Sequence, residues 1–265
     1  MNKTILITGS TDGIGFATAV SLVKLGHTVL LHGRNDTKLD KAKKQLIEFT
    51  KPEHIFTYKA DLSSLKQTKA LALKIKQDHK SLDVIINNAG VFVVPETVSA
   101  EGLDVRFVVN TISPYILAHQ LLVLLGNTGR IINVSSAAQS SVSPLELTKP
   151  SVLSDSSVYA KSKLALTMWS RHMALSINEQ GPVIVALNPK SFLGSKMVEQ
   201  AYGVAGTDLQ VGADILVKAA LSEEFAHASG LYFDNDIGEF ASPHQDALNV
   251  TKIADIAGVI ETLIQ

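Results

Sequence analysis

The sequence of 265 residues contains no cysteine. That excludes disulfides, thiol nucleophiles and Cys-based zinc or iron–sulfur sites together, and it suits a reducing, cytoplasmic setting. An excess of one charge is also missing, since 24 Lys and Arg stand against 25 Asp and Glu for a net charge of -1. With no long basic run either, no nucleic-acid partner held by phosphate neutralisation is expected. Long apolar runs are scarce. The longest candidate, 115–125, is interrupted by His119 and Gln120, and it falls short of the roughly 20 residues of a membrane span. Met1-Asn2-Lys3 passes directly into Thr4-Ile5-Leu6-Ile7-Thr8 and then glycine, so no signal peptide is expected. Repeats, low-complexity stretches and Pro/Gly/Ser linkers are absent as well, which predicts one domain over 1–265. The 46% of hydrophobic residues against 18% charged supports a sizeable buried core and excludes a disordered chain.

Short β-branched runs alternate with longer helical patterns. The expected strands are 4–8, 28–32, 54–58, 84–87, 130–134, 183–187 and 231–233. Apolar residues at helical spacing fall in 14–25, 36–49, 65–77, 103–125, 156–178 and 210–221. Alternation of this kind predicts an α/β, doubly wound, mostly parallel sheet of seven strands with helices on both faces. The strands are continuously apolar, as in Val84-Ile85-Ile86, which fits burial on both faces. Two segments break the rhythm: a polar insertion over 137–155 with Pro144 and Pro150, and a long connection over 189–208 with Gly194, Gly203 and Gly206. Loops of such length are usually functional or mobile.

The first strand runs into Thr8-Gly9-Ser10-Thr11-Asp12-Gly13-Ile14-Gly15. Glycines between a strand and a helix permit a tight turn, close approach of a pyrophosphate and close helix–strand packing. The N–H groups opening the helix then face the phosphate. An ordinary glycine-rich turn is the alternative. Farther on, Asn87-Asn88-Ala89-Gly90 ends the fourth strand, Asn110 sits in the next helical region, Ser135-Ser136 ends the fifth strand, and Tyr159-Ala160-Lys161-Ser162-Lys163 opens a long helix. These motifs, in this order, resemble the short-chain dehydrogenase/reductase family over about residues 1–235. The step from Ser136 to Tyr159 is longer than usual and resembles the retinol-dehydrogenase-like members.

The resemblance implies a Rossmann-type domain and hydride exchange between NAD(P)(H) and an alcohol or carbonyl. It gives Tyr159 the role of general acid/base, Ser136 that of polarising the substrate oxygen (with Ser135 as fallback), Lys163 that of lowering the Tyr159 pKa, and Asn110 that of anchoring a proton relay. A phenol with a pKa near ~10 is a poor base at neutral pH, and an ammonium one helical turn away stabilises its phenolate. For the cofactor it implies Gly9, Ser10, Asp12, Gly13, Ile14 and Gly15 at the first turn and Asn88, Ala89 and Gly90 at the fourth strand. Pro189 follows the sixth strand, and Tyr159 and Lys163 take part again. At the second strand tip Gly33 stands where NAD-type pockets carry a carboxylate, and Arg34 follows. Guanidinium suits a phosphate, so NADP(H) is favoured, with NAD(H) possible; a surface Arg34 with Asp36 capping the next helix is the alternative. Asp61-Leu62 matches the position that meets adenine, or else forms a helix N-cap region.

Two departures stand out. Lys190 follows Pro189 where the family usually has glycine, and Ser113-Pro114 replaces the usual glycine after the helix asparagine. Ser195 is a stand-in for the hydroxyl that meets the carboxamide. The segment 192–204, with Met197, Val198, Tyr202 and Val204, is a lid over an apolar pocket or an ordinary surface helix. The tail 234–265 covers the substrate mouth or an oligomer contact. No metal site is expected: His227 and His244 are read as structural or exposed. The partners implied are a small carbonyl or alcohol substrate and further copies in a homodimer or homotetramer, paired through 103–125 and 156–178. A non-catalytic dinucleotide-binding regulator and a family lyase or epimerase are the alternatives.

Overall fold

The β-rich runs become eight strands in a computed structural model that describes residues 2–177 and 181–265, with the backbone alone at 201 and 202. They are β1 (Thr4–Ile7), β2 (Thr28–Gly33), β3 (Ile55–Lys59), β4 (Leu82–Asn87), β5 (Leu125–Val134), β6 (Val183–Asn188), β7 (Tyr232–Asp234) and β8 (Glu239–Ala241). Their spatial order is β3-β2-β1-β4-β5-β6-β7-β8. The ladders from β3 to β7 are parallel and β8 runs antiparallel to β7. The expected count of seven is therefore one short. β8 has three residues, too few to show a period, and Gly238 at φ 76° brings the chain back to meet β7.

The helices are α1 (Gly13–Lys24), α2 (Asp36–Ile47), α3 (Leu65–Asp78), α4 (Val105–Phe107), α5 (Ser113–Leu121), α6 (Asp155–Ser176), α7 (Lys196–Tyr202), α8 (Leu209–Leu221) and α9 (Val250–Ile264). Successive strand residues supply two separate cores. Leu6, Leu30, Ile85, Ile131 and Ile184 face the layer of α3, α5, α6 and α9. Ile5, Ile7, Val29, Leu31, Val84 and Val185 face α1, α2 and α8. Each such side chain is wholly buried and contributes roughly 2 kcal/mol of transfer free energy, which is why both faces of these strands read as apolar.

The expected helix over 103–125 is broken. Between α4 and α5 the chain widens into a π turn over Val108–Ile112, where Ser113 N–H reaches back to Val108 O. Pro114 has no N–H to offer the carbonyl of Asn110 four residues earlier, so ordinary α spacing cannot close over that residue. The stretch Val105–Leu124 is, against expectation, long and apolar enough to pass as a membrane span by length and composition. Of its most apolar window, 78% is buried inside the fold. Asn178, the expected end of the long helix now seen as α6, lies outside the described residues, as does the side chain of Tyr202. The tail forms α9, whose Ile253, Ile256, Ala257 and Ile260 make an apolar stripe at helical spacing. That stripe packs on α6, and Tyr115 Oη donates to Glu261 Oε1 at 2.7 Å.

Candidate active site

The carboxyl ends of β1, β2, β4, β5 and β6 open into one crevice of about 670 Å³. Its centre is where the sheet order reverses, with β2 on one side of β1 and β4 on the other. That is the position at which open α/β sheets take ligands.

At the first turn, Gly9 adopts φ 64°, and a Cβ there would sit 2.9 Å from Ala89 Cα. A Cβ on Gly15 would lie 2.6 Å from Gly9 O, so this glycine serves close packing inside the turn. Asn88 Nδ2 donates to Thr8 O at 2.9 Å and ties the tip of β4 to the turn. Asp12 caps α1 by accepting from Gly13 N–H at 2.9 Å. Gly9, Thr11, Asp12, Gly13 and Ile14 line the crevice. Ser10 does not: it is wholly buried, and its Oγ accepts from His32 N–H at 3.0 Å.

On the β2–β3 side, Gly33, Arg34, Ala60, Asp61 and Leu62 form the wall. The helix caps are Asn35 for α2 and Ser64 for α3, so neither Asp36 nor Asp61 is an N-cap. Asp61 Oδ1 accepts from Ser63 N–H at 2.9 Å and steadies the turn into α3. The imidazole of His32, 3% exposed, also belongs to this wall, a residue that sequence reasoning passed over.

On the β4–β6 side, Tyr159 and Lys163 share the first turns of α6, which Ser154 caps through Ser157 N–H. Lys163 Nζ is 5.6 Å from the centre of the Tyr159 ring and donates to Val134 O at 2.7 Å. The residue is 3% exposed, and burial pushes its ammonium down to about 8. Ser136 lines the crevice and accepts from Ala138 N–H at 3.1 Å, which leaves its hydroxyl proton free to donate. The Ser135 hydroxyl faces α6 instead, 2.7 Å from Thr167 Oγ1, which disfavours it as the fallback. Asn110 is not in the crevice wall. Its Oδ1 accepts from Val91 N–H at 2.8 Å, and its Nδ2 donates to Val91 O and Ser162 Oγ, each at 2.9 Å. Asn110 thus holds the segment after Gly90 against α6.

Pro189 and Lys190 line the crevice after β6. Lys190 adopts φ 125°, so its backbone keeps a shape that glycine takes more cheaply. Within 189–208, α7 brings Met197 and Val198 to the crevice while Phe192 and Val204 stay exposed. Lys196 pairs with Asp12 across the mouth, and that ammonium holds the Asp12 carboxyl below its ordinary value. Ser195 lines the crevice and caps α7 through Val198 N–H. Other residues missed from sequence are Phe92, whose ring lies 4.6 Å from that of Tyr159, and Tyr232, whose Oη donates to Ser136 O at 3.0 Å. Both sit outside any motif, and only the fold brings them in. His227 is exposed, and His244 Nδ1 accepts from Asp246 N–H in a local turn.

The short chain dehydrogenase family model matches residues 3–202. The chain belongs to that family. This dehydrogenase is 30% identical to human retinol dehydrogenase 13 over 251 residues, covering 88% of the chain and 76% of that relative. In structure it is similar to an uncharacterized protein from Mycobacterium paratuberculosis, with a TM-score of 0.82, 22% identity and coverage of 99% and 93% of the two chains. It also matches a short chain dehydrogenase of Shigella flexneri 2a str. 301 complexed with NADP, with a TM-score of 0.70, 24% identity and coverage of 89% and 98%. The dehydrogenase is an NAD(P)-dependent oxidoreductase acting between an alcohol and a carbonyl. Its crevice fits the dinucleotide: the start of α1 opens onto it, and Gly9, Gly13 and Gly33 add no side chain to its lining.

Proposed function

We propose that this dehydrogenase interconverts an apolar alcohol and its carbonyl with NADP(H) favoured over NAD(H), and that Tyr159 is the general acid/base. The observation that carries the reading is the buried Lys163 ammonium beside the Tyr159 ring. When bound, the reduced nicotinamide supplies the hydride that reaches the carbonyl carbon. Ser136 donates a hydrogen bond to the carbonyl oxygen and polarises it. Tyr159 gives its phenolic proton to that oxygen as it becomes the alcohol. The phenolate left behind is stabilised by the Lys163 charge. Asn110 acts through Val91 and Ser162 by holding the two walls of the catalytic end in register.

Support for NADP(H) comes from space and charge. A Cβ at Gly33 would lie 2.7 Å from Thr11 Cγ2, so a carboxylate-bearing side chain has no room at this strand tip while Thr11 holds its place. Arg34 lines the crevice with no salt bridge among the described residues, free to take a phosphate in bidentate fashion. The lining after β4 is mostly apolar, with Val91, Val94, Pro95 and Val98 beside the carboxylate of Glu96, which supports a largely apolar compound. Pairing of copies through α5 and α6 would compete with α9 for α6, so a homodimer or homotetramer would use another face.

The test is NADPH and NADH oxidation measured in parallel with a panel of apolar aldehydes and ketones. Turnover with NADPH is expected, and Tyr159→Phe is expected to lower kcat by roughly 10³-fold with NADPH affinity within a few-fold. Unchanged kcat in Tyr159→Phe would remove the acid/base role. Binding without turnover across the panel would favour a dinucleotide-binding regulator, and non-redox conversion a lyase or epimerase.

A further inference from the structure

We propose that His32 is a positioning residue for the dinucleotide, whose imidazole clamps the glycine-rich turn to the opposite wall of the adenosine pocket. This rests on the reading that the crevice takes a dinucleotide.

His32 sits next to last in β2, with its ring buried among three strand tips. Gly9 N–H donates to His32 Nδ1 at 3.1 Å. A ring nitrogen that accepts carries no proton, so the proton of the neutral ring is on Nε2. That nitrogen lies 3.1 Å from Ala60 O, to which it donates. The main chain repeats the connection, since Ser10 N–H donates to His32 O at 3.0 Å and His32 N–H donates to Ser10 Oγ at 3.0 Å. One residue therefore spans from the turn after β1 to the segment after β3. Both ends of that span, Gly9 and Ala60, line the crevice, and so does His32 itself.

A glycine at positive φ has wide conformational freedom, and the turn it starts must hold one shape if it is to receive a pyrophosphate. Here the freedom is removed by a side chain. The N–H of Gly9 is committed to the imidazole, so this glycine shapes the turn and its N–H is not available to the phosphate. Burial pushes the His32 imidazole down to about 4, so the ring keeps its accepting nitrogen at neutral pH. The clamp also sets the width of the pocket, because Gly9 and Ala60 are held to two nitrogens of one rigid ring.

The two halves of the clamp can be separated. In His32→Asn the amide oxygen falls near the place of Nδ1 and can accept from Gly9, while Ala60 loses its donor. In His32→Gln the amide reaches toward Ala60 and Gly9 N–H loses its acceptor. NADPH dissociation constants are read from cofactor fluorescence, and apo thermal midpoints from calorimetry. The expected result is similar loss of thermal midpoint in both variants, with NADPH affinity within about threefold of wild type for Asn and at least about tenfold weaker for Gln. A ¹⁵N spectrum of the wild-type histidines is expected to show His32 neutral with its proton on Nε2, a readout independent of any variant. Equal NADPH affinity in wild type and both variants, or affinity losses that only follow the thermal midpoints, would overturn the clamp. So would a ring protonated on Nδ1. Failure of wild-type protein to bind NADPH or NADH would overturn the dinucleotide reading, and the clamp with it.

Discussion

The two halves of the crevice are built on opposite principles. The half at the tips of β1, β2 and β3 keeps the charges of Asp12 and Arg34 exposed on its wall and buries an uncharged ring behind the turn. Its turn is fixed by glycines, by backbone groups and by an imidazole that burial keeps uncharged. The half at the tips of β4, β5 and β6 hides an ammonium that donates to the carbonyl of Val134. The first half presents a packed turn and an exposed guanidinium, neither of which conflicts with folding. The second holds a charge that folding alone disfavours, so its presence points to chemistry and not to stability.

The largest effect that sharpens this contrast is expected from Lys163→Met. Turnover should fall at least about 100-fold, while the apo protein becomes more stable. Lowering the lysine from 10.5 to about 8 corresponds to a burial penalty of roughly 3 kcal/mol, offset in part by the bond to Val134. A rise in Tm of about 2–4 °C by calorimetry is expected, since ~1 kcal/mol shifts a chain of this size by about that much. A lower Tm would break the contrast. In the other half the pH dependence runs through His32. Its folded value of about 4 lies below the ordinary 6.5, so the unfolded chain takes the proton first. The His32 contribution is complete above pH ~6.5 and is lost as pH falls toward ~4, by about 3 kcal/mol in all. Urea unfolding of wild type and His32→Asn at pH 7 and pH 5 should show a steeper acid loss for wild type, and parallel losses would refute it. The smallest effect is expected from Arg34→Ala, with NADPH binding weakened about tenfold or more, as loss of a charged hydrogen bond predicts, and NADH binding within threefold. Equal loss for both cofactors would put Arg34 outside the 2′-phosphate site.

Much of the fold was legible because the strands are apolar on both faces: Val84-Ile85-Ile86 and Ile131-Ile132 become the centre of the sheet. The caps were less so, since Asn35 and Ser64, and not the candidates Asp36 and Asp61-Leu62, start α2 and α3. The break at Asn110 was not legible from apolar spacing, which runs smoothly through it, although Pro114 was its local signal. β8 was too short to show a pattern. Within the site, helical spacing places Tyr159 and Lys163 one turn apart, while the roles expected of them come from the family resemblance. The inward turn of Ser10, the fully occupied amide of Asn110 and the ring of Phe92 over Tyr159 depend on neighbours distant in sequence.

By itself the sequence determined which chemical groups this protein has and at what local spacing, because a strand repeats every two residues and a helix every 3.6. The tertiary structure alone decided which of those groups meet. His32 meets Gly9 and Ala60, Gly33 meets Thr11, and α9 lies on α6. Such contacts join residues far apart in the chain, and they exist only once burial of the apolar layers has fixed the strand tips side by side.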